Sequence, residues 1–247
     1  MNKRELDAFK EAYGEGFQFI DENVLMLSWY SQRIIQKMRA DNCRSCMSLG
    51  IGHKIVSKKI ISDLAPSLKK YLIVEGSKEF INELQHDVKL PQQVSIIHSL
   101  FEDFDPGVKL DAIEMGFVLE HVADPSVILK RYAKFLKPEG CIFIAVPNAR
   151  SLHRLVGQRA GLMDDLFALS EFDIRLGHRR YFDLETVNKL IIESGLKIFT
   201  TEGIFLKPFS TSQLKSLNLV PEVINSLCSI ASDLPEISNA IYIEAVL

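Results

Sequence analysis

The sequence predicts an α/β fold, a mostly parallel sheet with helices on both faces, and three observations predict it. Short apolar runs alternate with stretches of helical period from Cys43 onward. The first run leads into Gly50-Ile-Gly52, where a strand has to turn tightly into a helix. A chain of 247 residues that is 47% hydrophobic is large enough to bury both faces of such a sheet in one domain.

The elements follow in order. Residues 1–44 carry Phe9, Tyr13, Phe17, Phe19, Trp29, Tyr30 and a helical-period stretch from Asn23 to Met38, which together read as a helical cap whose aromatic stripe is core. Residues 45–148 hold the strands Cys46–Leu49, Tyr71–Val74, Val94–Ile97, Leu110–Ile113 and Cys141–Val146, with helices near 53–65, 77–88 and 125–136. Residues 149–183 are polar, rich in Arg and His and too long for an unstructured loop, so they read as a helical lid over an acceptor. In 184–247, Asp183 caps a helix that Gly195 ends, Leu196–Lys207 and Ile241–Val246 are strands, and Thr211–Ser232 is helical, with Pro221 and Pro235 marking breaks.

Composition narrows the function classes. A net charge of -3 leaves no overall cationic field for nucleic acid, and no apolar run reaches bilayer length. The opening Met1-Asn-Lys-Arg-Glu5 lacks the apolar segment of a signal peptide, so the expectation is a cytoplasmic protein without nucleic-acid or membrane partners. Cys43-Arg-Ser-Cys46 has the spacing of a zinc half-site. Without a second pair nearby it reads as two packed thiols, and no metal ligands are nominated.

Open parallel sheets bind ligands beyond the carboxyl ends of their strands. Gly50 and Gly52 let backbone approach a ligand there, and Glu75, with Gly76 after it at the end of the second strand, is placed to accept hydrogen bonds from ribose hydroxyls. Together they imply an adenosine-containing cofactor. A dinucleotide is disfavoured because Lys54 stands where the third glycine would bring a helix toward pyrophosphate.

Across residues 45–205, the strand endings, Phe117-Val-Leu-Glu-His-Val122, Asp124-Pro125, Leu136-Lys-Pro-Glu-Gly140 and Val146-Pro-Asn148 resemble class I S-adenosylmethionine-dependent methyltransferases of the ubiquinone-biosynthesis type. Pro147 to Arg154, Gly177 to Tyr181 and Phe205 to Pro208 are similar to a bacterial small-molecule subgroup without an assigned substrate. The resemblance implies a Rossmann-like seven-stranded sheet with an antiparallel last strand, and S-adenosylmethionine as cofactor. It also implies an adenine edge at Ser99 to Glu102, including Phe101, and a cofactor border at Glu114, Met115 and Gly116. Ser48 and Lys54 depart from the family pattern, which has an acid before the first glycine and a third glycine after the second.

Methyl transfer is an in-line displacement that needs a base only when the acceptor carries a proton. His121, after the fourth strand, is the first candidate base and His178 the second. His153, Arg154, Arg179 and Arg180 are candidate acceptor ligands. Their guanidinium groups point to an anionic small molecule, such as a nucleotide-linked or surface-polysaccharide sugar or another phosphorylated metabolite, methylated on oxygen. The alternative is a noncatalytic protein that keeps the fold for ligand sensing or assembly; homodimerisation is left open.

Overall fold

The computed structural model describes Leu6, Asp7 and residues 20–247. Phe9, Tyr13, Phe17 and Phe19 of the expected cap lie outside the described residues. Helix α1 (Ile20–Ala40) precedes β1 (Ser45–Leu49), α2 (Ile55–Asp63), β2 (Lys70–Glu75), α3 (Lys78–Asp87), β3 (Val94–His98), β4 (Leu110–Gly116), α4 (Pro125–Ala133) and β5 (Leu136–Pro147). There follow α5 (Leu152–Arg159), α6 (Glu171–Arg175), α7 (Leu184–Glu193), β6 (Lys197–Ile204), α8 (Thr211–Ser216), α9 (Pro221–Ala231) and β7 (Ala240–Val246).

The strands form a seven-stranded sheet in the order β3-β2-β1-β4-β5-β7-β6. Neighbours from β3 to β5 run parallel, and β7 lies antiparallel between β5 and β6. The expected mostly parallel sheet with its antiparallel last strand is therefore present.

Alternation along each strand divides the core in two. Cys46, Tyr71, Ile73, Ala112 and Phe143 join Tyr30, Ile34 and Met38 of α1, Ile60 of α2 and Phe80 of α3 on one face. Met47, Leu72, Ile113, Met115 and Ile144 join Ile128 and Leu129 of α4 and Val187 and Ile191 of α7 on the other. The aromatic stripe of α1 belongs to the core, with Trp29 and Tyr30 each edge-on to Tyr242 at 5.8 and 5.9 Å.

Local chemistry accounts for the element ends. Asp124 caps α4 by accepting from the amides of Ser126 and Val127, and Pro125 occupies the first turn, where its missing amide costs nothing. Asp183 and Thr186 form a capping box for α7. The helical stretch expected over 211–232 breaks ahead of Pro221 into two helices, because Asn218 takes a left-handed φ of 48° and Pro221 holds Val220 extended. Strand β5 starts at Leu136, earlier than its apolar run, because Leu136 pairs with Leu110 ahead of a register shift.

Strand β6 packs closely beneath α9. A Cβ on Gly203 would meet the carbonyl oxygen of Ala231 and stand 2.6 Å from Ser238 Cβ. Gly203→Ala is expected to cost about 1–3 kcal/mol of stability through this overlap, read as a lower urea midpoint; an unchanged midpoint would contradict the packing.

Candidate active site

The carboxyl ends of β1, β2, β4 and β5 and residues from 149–183 line a cavity of ≈ 460 Å³. At its β1 end Gly50 and Gly52 hold left-handed φ of 86° and 50°, as the turn requires. Lys54, standing where a third glycine was missed, also takes a left-handed φ of 64°. Its ammonium reaches Glu83 at 3.2 Å and Asp87 at 3.0 Å, tying the start of α2 to α3.

Glu75 connects this turn to β2. Its Oε2 accepts from the Ile51 amide at 2.8 Å and its Oε1 from the Ser77 amide at 2.7 Å. Burial raises its pKa, and the Ser77, Ile51 and Gly76 amides oppose that rise by stabilising the anion. Each carboxylate oxygen has two lone pairs, so acceptor capacity remains toward the cavity that Glu75 lines. Phe101 lines the same end, near Gly50, and Tyr132 fixes its loop by donating to the Phe101 carbonyl at 2.9 Å.

The other expected cofactor residues divide. Gly116 reaches the cavity wall, whereas Gly76, Ser99, Glu102 and Met115 are not among the residues lining it. Leu6 and Leu100 stand over Gly76, and the side chain of Met115 points into the core shared with α4. Side-chain direction at a strand end separates Met115 from its neighbour Glu114, which does line the cavity.

Beyond β4 the cavity meets Glu120, His121 and His178. The two imidazole rings are edge-on at 4.8 Å. Burial, with the positive fields of His178 and Arg180, lowers the His121 pKa to about 3, against a backbone hydrogen bond with Gly177. Neither carboxylate oxygen of Glu120 has a hydrogen-bond partner among the described residues, and burial raises its pKa to about 7. The glycine turn at 177, with φ 84°, returns the chain so that His178 Nδ1 lies 3.4 Å from Asp173 Oδ1, within ion-pair reach but without hydrogen-bond alignment. Asp173 also accepts from Ser170 and Tyr181, and its pKa is lowered to about 2 despite burial. Glu120, His121 and His178 offer ligand atoms within 4.8 Å of one another, a set that can hold a metal ion.

The arginines of 149–183 behave differently from the expectation. Arg154 lines the cavity but donates to the carbonyls of Leu166 and Ala168 and stacks over Tyr181 at 4.2 Å. Arg180 donates to Leu119, Val122 and Ala123 at 3.0, 2.6 and 3.0 Å, which fastens this segment to the β4 turn. The Arg179 amide donates to the Glu120 carbonyl at 2.8 Å, and neither Arg179 nor Arg180 is among the lining residues. His153 lines the cavity with its Nδ1 unpartnered among the described residues.

Sequence reasoning did not nominate Asp173, Glu120, Tyr181 or the buried Lys207. Lys207 donates to both oxygens of Glu22 at 2.9 Å, and Asn239 donates to the same carboxylate at 2.7 Å. Asp173 had one signal, the Ser170-x-x-Asp capping pattern, which predicts a helix start and says nothing of the histidine that folds back onto it. No described helix is long and apolar enough to cross a membrane.

Comparison with known proteins adds three findings. A family model described as a methyltransferase domain matches residues 27–201. A ubiquinone biosynthesis O-methyltransferase of Bartonella bacilliformis is 27% identical over 121 residues, which are 47% of this chain and 45% of that protein, so the match spans less than half of the curated relative. Among solved structures, magnesium protoporphyrin IX methyltransferase from Synechocystis with bound S-adenosylhomocysteine superposes with a TM-score of 0.61 at 14% identity, covering 99% of this chain and 95% of that one. The N-methyltransferase NodS from Bradyrhizobium japonicum, in complex with S-adenosyl-L-homocysteine, gives 0.59 at 12% identity, covering 99% and 98%.

His153 generates a pH prediction. Burial, Lys207 and Arg154 lower its pKa to about 3, below the ordinary 6.5 of an unfolded histidine. Between those values the unfolded chain takes up a proton that the native chain refuses, so stability falls as pH drops below 6.5. His153→Gln is expected to lessen that fall, measured by urea unfolding at pH 7.5 and 5; an equal fall in both proteins would remove His153 from the cause.

Proposed function

The chain belongs to the methyltransferase-domain family, and from that membership we propose that its cavity binds S-adenosylmethionine and passes the methyl group to an oxygen of a small acceptor. The observation that carries the reading is the joint of Glu75 with the glycine turn. A carboxylate held by the amides of Ile51 and Ser77, beside backbone without side chains, suits a ribose diol. In this reading Gly50, Gly52, Glu75, Phe101 and Gly116 touch the cofactor, while Gly76, Ser99, Glu102 and Met115 support the loops from behind.

The acceptor sits beyond Gly116, under residues 149–183. The acceptor oxygen attacks the methyl carbon as the carbon–sulfur bond breaks, and the hydroxyl proton leaves to an imidazole. We assign that proton to His178 rather than His121. Asp173 keeps its negative charge and stabilises an imidazolium on His178, whereas surroundings that hold His121 at about 3 make it a weak base. His121 then packs against His178 and orients it.

An uncharged acceptor fits better than the anionic one suggested by the arginines. Arg154 is engaged by carbonyls and Lys207 by Glu22, while the carboxyl groups of Glu22, Glu75, Glu114, Glu120 and Asp173 all face the cavity. Met26, Leu27, Phe172 and Leu176 add an apolar wall suited to a hydroxylated ring or chain.

A second reading is favoured by one observation, the carboxylate of Glu120, without a hydrogen-bond partner among the described residues and beside two imidazoles. A divalent cation bound by Glu120, His121 and His178 would acidify the acceptor hydroxyl, replacing the base. Elemental analysis of the purified protein, and activity before and after chelation, separate this from the metal-free route.

Calorimetry with S-adenosylmethionine is expected to show binding, and Glu75→Ala to weaken it roughly 10- to 100-fold by removing charged acceptors. With a panel of neutral and phosphorylated hydroxyl acceptors, His178→Ala is expected to lower kcat by about 10²–10⁴-fold at unchanged cofactor affinity. Binding without turnover of any acceptor would favour the noncatalytic alternative, and selective turnover of phosphorylated acceptors would restore the anionic one.

A further inference from the structure

The absence of an acid at Ser48 has a structural counterpart one strand away. Ser48 and Glu114 are register partners on the adjacent parallel strands β1 and β4, each two residues ahead of a glycine at the cavity edge. Ser48 is fully buried, and its hydroxyl lies 2.8 Å from the hydroxyl of Tyr71. Glu114 lines the cavity.

Glu114 is held in place from two sides. Tyr30 of α1 reaches its Oε1 at 3.1 Å, and the Gly116 amide donates to the same oxygen at 2.8 Å. Tyr30 gets there because Gly116 has no side chain: a Cβ on Gly116 would stand 2.5 Å from the Tyr30 ring and 2.7 Å from its hydroxyl. Burial and the neighbouring carboxyl keep Tyr30 a neutral phenol, so it remains a donor.

Among the described residues no cation answers this carboxyl. The groups around it are Tyr30 from α1, Cys46 and Ser48 from β1, Tyr71 from β2 and the Gly116 amide from β4, and the groups that set its acidity include no Lys, Arg or His. Tyr242 of β7 lies edge-on to the Tyr30 ring, and the Phe143 carbonyl of β5 is a second acceptor for the Tyr30 hydroxyl at 3.3 Å. A carboxyl 3% exposed on the wall of a cavity, without a positive partner among the described residues, leaves its charge to be met by the ligand. Burial raises its pKa to about 7, opposed by Gly116, Ser48 and Tyr30.

We propose that Glu114 receives the ammonium group at the methionine end of the methyl donor, supplying from β4 the charge that Ser48 does not supply from β1, and that cofactor binding releases the proton Glu114 carries in the empty site. This rests on the reading that the cavity takes S-adenosylmethionine. The balance is simple: the neutral carboxyl gives its proton to the buffer and the resulting carboxylate pairs with the ligand's ammonium.

Calorimetry in paired buffers whose ionisation enthalpies differ, MES and imidazole at pH 6 and EPPS and Tris at pH 8.5, reads the proton directly. Wild-type protein is expected to release about one proton per S-adenosylmethionine at pH 6 and close to none at pH 8.5, with S-adenosylhomocysteine, which keeps the ammonium, behaving alike. Glu114→Gln is expected to bind both roughly 10- to 100-fold more weakly with no release, while adenosine, which lacks the ammonium, binds as in wild type. S-adenosylmethionine binding without proton release at pH 6 overturns the role of Glu114 and leaves the cofactor reading standing, even if the variant fails to fold. Unchanged binding of S-adenosylmethionine by Glu114→Gln overturns it too, as does an equal loss for adenosine. Failure of wild type to bind either ligand overturns the cofactor reading itself.

Discussion

The site exists because β1 and β4 are neighbours whose chains leave the sheet on opposite faces. After β1 the chain turns at Gly50 and Gly52 into α2, which packs with α1 and α3 on one core. After β4 it passes to α4, which packs with α7 on the other. Two parallel strands that end together and part in this way leave a crevice between them, and backbone amides and short side chains line its floor. The glycine turn, Glu75, Glu114 and the turn to His121 all border this opening.

Burial gives the crevice its electrostatic character. Carboxyl groups crowd a space where, among the described residues, the cations Arg154 and Lys207 are already engaged by carbonyls and by Glu22. Burial raises the pKa of a carboxyl whose donors do not outweigh its desolvation, and a carboxyl whose donors do outweigh it stays below the ordinary range. Glu114 and Glu120 are of the first kind, with pKa about 7, and Asp173 is of the second, at about 2. One pocket thus holds protonatable acids near the cofactor floor and a fixed negative charge behind His178, a division suited to a cationic donor and a proton-bearing acceptor.

The segment 149–183 both lines the cavity and is braced against the sheet by its arginines. Arg180 draws it onto the carbonyls of the β4 turn, Arg154 draws residues 166–168 inward, and Asn148 Nδ2 holds the stretch before β7 through the carbonyls of Pro235, Glu236 and Ser238. A guanidinium with five donors suits binding an anion or gathering backbone carbonyls equally well. Sequence shows the residue type, and only the fold shows which partner reached it first.

Much of the fold was legible in the sequence because its signals are local. Apolar runs mark strands buried on both faces, as at β4 and β5, Asp124-Pro125 and Asp183 mark helix starts, and Gly50-x-Gly52 and Glu75 mark strand ends that meet at the cavity. What the sequence left open depends on chain segments distant from one another. The approach of His178 to Asp173 and His121, the commitment of Arg154 and Arg180, and the pairing of Glu114 with Tyr30 are set by side-chain direction and by which element covers which strand end. By itself the sequence determined the alternating sheet and the glycine turn that ends its first strand, since both follow from residue type and short spacing. Only the tertiary structure decided which charges face the cavity, because solvation and partners are properties of the packed chain.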